Sequence, residues 1–122
     1  MELIIGGAYQ GKRAFAVNTL GIPEADIFTC SGTEIDFSKR CIDKLEEFVL
    51  ACIRAGEDPL EKLKGQSLDD KVIICMDMFC GVVPIDGEMR LWRHTTGLVC
   101  QYLAGKATGI HRMFCGLEQR LK

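Results

Sequence analysis

The chain has 122 residues, 48% of them apolar and 26% charged, with a formal net charge of −2. That length supports one domain with a real core and is too short for two, and the near-neutral balance with dispersed basic residues offers no positive face for nucleic acid. No apolar run approaches a membrane span and the start lacks the pattern of a secretory signal, so a cytosolic protein is expected.

The first element is a short apolar strand, Leu3, Ile4 and Ile5, followed at once by Gly6, Gly7, Ala8, Tyr9, Gln10, Gly11, Lys12 and Arg13. This run has the glycine and lysine spacing of the phosphate-binding loop G-x-x-x-x-G-K-[ST], in which backbone amides and the lysine surround phosphate and the last hydroxyl holds Mg²⁺. Arg13 stands at the hydroxyl position. A helix carrying Ala14, Phe15, Val17 and Leu20 should follow and stop at Gly21 and Pro23.

Asp26 to Cys30 reads as a second strand. From about Asp36 the apolar residues Phe37, Cys41, Leu45, Phe48 and Cys52 recur at helical spacing, which predicts one amphipathic helix closed by Gly56. Asp58 and Pro59 then mark the start of a short helix that ends near Gly65. Val72 to Met76 is a continuous apolar run suited to a strand buried on both faces, with Asp77 at its carboxyl end. After the loop Gly81, Val82, Val83 and Pro84, Asp86 should cap a long helix to Gly105 whose inward stripe is Met89, Trp92, Thr96, Val99 and Leu103. Ile110 to Cys115 is the last predicted strand.

Strands separated by helices imply an α/β fold, three-layered, with a mainly parallel sheet of about four strands. Ligands of such sheets bind at the carboxyl ends of the strands, which gathers residues 6–13, 30–33 and 77–84 onto one rim. Lys12 is the natural neutraliser of terminal phosphates, and Asp77 is the candidate to hold a metal through water; both are the candidate catalytic residues. The seven cysteines are odd in number and form no C-x-x-C pair. They read as reduced packing residues, with Cys80 the one nearest the expected site. His94 reads as a solvated helix residue, and His111 as a packed strand residue.

Two stretches carry a resemblance to a known family. The string GVVP at Gly81 to Pro84, the run Arg90-Leu91-Trp92-Arg93, then Gly97, Gln101, Leu103, Ala104, Gly116 and Leu117, together with the opening glycine loop, resemble the bifunctional adenosylcobinamide kinase / adenosylcobinamide-phosphate guanylyltransferase family. The resemblance covers roughly the first twenty and last fifty residues. It implies a P-loop NTPase-like domain and a homo-oligomer that uses GTP or ATP to phosphorylate and then cap a corrinoid alcohol in cobalamin biosynthesis. It places nucleotide phosphates on residues 6–13, substrate near Gly81, Val82, Val83, Pro84 and Arg93, and Mg²⁺ at a site where Arg13 replaces the usual serine. The family's guanylyl transfer uses a mid-chain histidine, whereas the two histidines here are His94 and His111. A catalytically reduced relative that binds nucleotide or corrinoid in a regulatory or assembly role is the alternative, and a small P-loop kinase for another metabolite is a third reading.

Overall fold

The computed structural model describes residues 1–77 and 86–122. Six strands form one mixed sheet in the order β2-β3-β4-β1-β5-β6. They are β1 (Glu2–Gly6), β2 (Ile27–Thr29), β3 (Cys41–Asp43), β4 (Val72–Met76), β5 (Gly109–Phe114) and β6 (Leu117–Arg120). The helices are α1 (Lys12–Asn18), α2 (Leu45–Ala55), α3 (Pro59–Lys64) and α4 (Gly87–Lys106). The protein is therefore α/β, as the alternation of elements requires, and all pairings are parallel except the closing hairpin of β5 and β6.

Side-chain alternation along the strands divides the core in two. Ile4, Ile74, Cys41 and Met113 pack with Phe15 and Ala16 of α1 on one face. Leu3, Ile73, Ile42 and Ile110 pack with Phe48, Val49, Leu63, Val99 and Leu103 of α2, α3 and α4 on the other. Both faces of the central strands are thus covered, which is why β1 and β4 read as unbroken apolar runs. Each fully buried Leu, Ile or Phe contributes about 1.5–3 kcal/mol. Among the described residues no helix is long and apolar enough to cross a membrane.

Among the described residues the sheet has six strands, not four. One addition is β3, which occupies the first part of the predicted 36–56 helix. Cys41 and Ile42 pair with Val72 and Ile73 on one side and with Ile27 and Phe28 on the other. Ladder bonding therefore overrides the helical spacing of the apolar residues. The helix proper starts at Leu45, directly after Lys44 turns the chain with a left-handed φ of 56°. The other addition is β6, an exposed polar strand without hydrophobic alternation that pairs antiparallel with β5.

Asp86 caps α4, its carboxylate accepting the amides of Glu88 at 2.7 Å and Met89 at 3.4 Å. Asp58 likewise accepts the amide of Leu60 ahead of α3. Trp92, Thr96, Val99 and Leu103 face inward as their spacing predicts, whereas Met89, one turn earlier, is exposed. Cys115 lies beyond the last residue of β5 in the hairpin turn, and it too is exposed.

Candidate functional site

β1 is flanked on both sides by parallel strands, and its last residue, Gly6, pairs with Met76 of β4 and Met113 of β5. A side chain there would place its Cβ 2.6 Å from the Met113 carbonyl oxygen, so only glycine lets the three strands close. The chain then loops back through Gly11, whose φ of 92° starts α1. Gly11 is constrained less severely in space, a Cβ there lying 3.3 Å from the Gly116 Cα, and its left-handed φ adds to that. The loop read from sequence as phosphate-binding therefore sits at the carboxyl end of an inner strand, held between β4 and the hairpin.

A cavity of about 400 Å³ opens beside this loop. It is lined by residues 8–14, by Asp43, Lys44, Glu46 and Glu47, and by Ile74 and Met76. Two of these residues have left-handed backbone, Tyr9 at φ 59° and Lys44 at φ 56°. Such conformations in non-glycine residues hold about 1–2 kcal/mol of strain each and concentrate where function fixes the backbone.

Lys12 is half-buried and its ammonium donates to the Gly7 carbonyl at 2.5 Å. Desolvation lowers its pKa, against the opposing pull of Glu46 first and then Asp43. An ammonium short of solvent and lying on a loop carbonyl is prepared to exchange that contact for a phosphate oxygen. Glu46 is buried in the first turn of α2. Its carboxylate accepts the Met76 amide at 2.9 Å, and burial raises its pKa. The backbone carbonyl of the same residue accepts the indole N–H of Trp92 at 2.8 Å, which ties α4 to the cavity wall.

Arg13 does not face solvent alone. Its Nη1 donates to Asp43 at 3.0 Å and Thr29 at 3.2 Å, while Nε and Nη2 donate to Glu24 at 3.2 and 2.6 Å. Asp43 is buried at the end of β3. The divalent ion that the resemblance implies does not fit this donor set. The hydroxyl position carries a cation, and the buried carboxylate nearest it is already bonded to that cation.

Asp77 follows β4 at the base of the loop, where its charge is among those that hold the Lys12 pKa up against desolvation. Its amide donates to the Gly6 carbonyl at 2.7 Å, but its side chain lines a separate, mostly apolar cavity of about 380 Å³ with Leu3, Ile5, Cys100 and Gln101. Arg112 Nη2 lies 4.0 Å from its carboxylate. Of the second rim segment, 30–33, Cys30 is buried in the core and Thr33 accepts from Lys62 through its carbonyl, while Thr29, just before it, accepts from Arg13. Arg93 is half-buried on α4 and does not line the loop cavity. Gly81, Val82, Val83, Pro84 and Cys80 lie outside the described residues. His94 is exposed, and His111 is packed between Glu2 at 2.7 Å and Glu118 at 2.6 Å.

Asp43, Lys44, Glu46 and Glu47 are charged cavity residues that sequence reasoning missed. The paired acids Glu46 and Glu47, typical of a helix's first turn, were the available signal that a new helix starts there. No known family profile matches this sequence, and no curated protein matches it.

Proposed function

We propose that this chain is a P-loop NTPase-like domain that binds GTP or ATP through residues 6–13, similar to the adenosylcobinamide kinase / adenosylcobinamide-phosphate guanylyltransferase family, and that it transfers phosphoryl to a corrinoid alcohol. The observation that carries this reading is the half-buried Lys12 amine beside a loop of tight glycines, at the edge of a cavity of about 400 Å³ at the sheet's carboxyl rim. In the transfer, the substrate hydroxyl oxygen bonds to the γ-phosphorus, the bond from that phosphorus to the β-bridging oxygen breaks, and the nucleoside diphosphate leaves. Lys12 neutralises the charge that develops, and Glu46, whose proton affinity burial has raised, takes the hydroxyl proton.

A second reading is a catalytically reduced relative that binds nucleotide or corrinoid as a regulatory or assembly partner. Arg13 favours it, since a guanidinium bonded to Asp43 replaces the hydroxyl on which metal-assisted transfer depends.

The test is incubation of the purified protein with α- and γ-labelled GTP or ATP and adenosylcobinamide, beside Lys12→Ala. Transfer of γ-label by the parent alone supports the kinase. Nucleotide binding that needs Lys12, without transfer, supports the second reading. Failure to bind either nucleotide refutes the first reading, and failure to bind adenosylcobinamide as well refutes the second.

A further inference from the structure

The residue that follows the loop lysine decides how the charge of a bound phosphate is met. In a metal-dependent loop that residue offers a hydroxyl to Mg²⁺, and a carboxylate at a neighbouring strand end holds the ion through water. Here the first place is bonded directly to a carboxylate on β3, the strand beyond β4 from the loop. Arg13 occupies the first, Asp43 ends β3, and the two meet at 3.0 Å with both lining the cavity. Thr29 and Glu24 take three further Arg13 hydrogen bonds, so four of the five that a guanidinium donates are accounted for. Its partners come from β2, β3 and the turn Glu24–Asp26. A divalent ion placed beside it would meet a like charge and a carboxylate already paired.

We propose that the Arg13–Asp43 pair fills the place a divalent metal would take, so that this loop takes its nucleotide as the metal-free anion. The inference rests on the nucleotide-binding reading and is silent on transfer. Its phosphates would be met by Lys12 and by Lys44, the second lysine lining the cavity, which is fixed in a left-handed turn at the end of β3. The ligand class is then a free nucleoside di- or triphosphate, in which the oxygens that Mg²⁺ would otherwise occupy are open to ammonium groups.

Calorimetric titration of the protein with GTP and with ATP, once in excess Mg²⁺ and once in EDTA, tests this. The expected result is that Mg²⁺ tightens binding less than threefold, or weakens it. Tightening of threefold or more by Mg²⁺ overturns the proposal while leaving the nucleotide reading intact, and no binding in either buffer removes both. Arg13→Ser restores the hydroxyl and frees Asp43, and its affinity should become at least tenfold higher in Mg²⁺ than in EDTA. A folded Arg13→Ser protein that stays indifferent to Mg²⁺ also overturns the proposal. If that variant does not fold, the comparison of buffers on the parent decides by itself.

Discussion

The backbone amide of Gly116 donates to the carbonyl of Gln10 at 3.1 Å, and the neighbouring Cys115 amide donates to the Gln10 side chain at 2.5 Å. The turn of the last hairpin therefore braces the glycine loop. Gly11→Ala should strain a φ of 92° and press a methyl group against the Gly116 Cα. Gly21 has a similar φ of 72° but open space around it, so Gly21→Ala isolates the backbone strain of about 1–2 kcal/mol. Thermal unfolding and nucleotide titration of the two variants should show a greater loss of both stability and affinity for Gly11→Ala. Equal losses would mean that the hairpin does not brace the loop.

Glu46 should make stability depend on pH. Burial raises its pKa above the ordinary 4.5, so just above that value the folded protein keeps a proton that the unfolded chain has released. Stability from this group is full below 4.5 and is lost as pH rises through the raised pKa. Glu46→Gln keeps an acceptor for the Met76 amide and cannot titrate. Urea unfolding should find the variant more stable than the parent at pH 7, with the difference vanishing near pH 4.

Trp92 is the single tryptophan, and its bond to the Glu46 carbonyl places it directly behind the cavity wall. Nucleotide binding should change its fluorescence in the parent and not in Lys12→Ala. Trp92→Phe should lower stability by about 1–3 kcal/mol through the lost hydrogen bond and reduced packing, measured by far-ultraviolet circular dichroism.

The Thr96 hydroxyl is buried in α4 without a hydrogen-bond partner among the described residues. Replacing it with a methyl group removes an uncompensated polar atom. Thr96→Val should stabilise the protein by about 1 kcal/mol in chemical unfolding, and a loss of stability would reveal a partner for the hydroxyl.

Of the six described cysteines only Cys115 is exposed. Burial pushes the thiols of Cys30 and Cys41 up to about 12. In the native protein at pH 8, peptide mapping after brief alkylation should find Cys115 modified before Cys30, Cys41 or Cys75. Early labelling of any of those three would show local opening of the core.

Local chemistry made much of this architecture legible. Asp86 and Asp58 announce their helices because a carboxylate facing free amides works within one turn of chain. Val72 to Cys75 announces a strand because both faces of it are covered. The three residues of β3 carry no such signal, since their conformation is set by β2 and β4, which are distant in sequence. The helical spacing across 36–56 also conceals Asp43, Lys44 and Glu46, because it runs unbroken over the end of β3 and the start of α2. Arg13 was visible as a departure from the loop pattern. Its bonds to Glu24 and Asp43 were not, because they depend on how β2 and β3 are ordered in the sheet.

Leu3 is bonded in register to Ile73 on one side and Ile110 on the other, so the first strand of this sheet has neighbours that are both synthesised much later. During translation this strand must wait, solvated or chaperoned, while the nearer pairing of β2 with β3 is already available. Acquisition of ligand by a nascent chain would then mark the completion of assembly, and stalled products ending before residue 109 should remain blind to it.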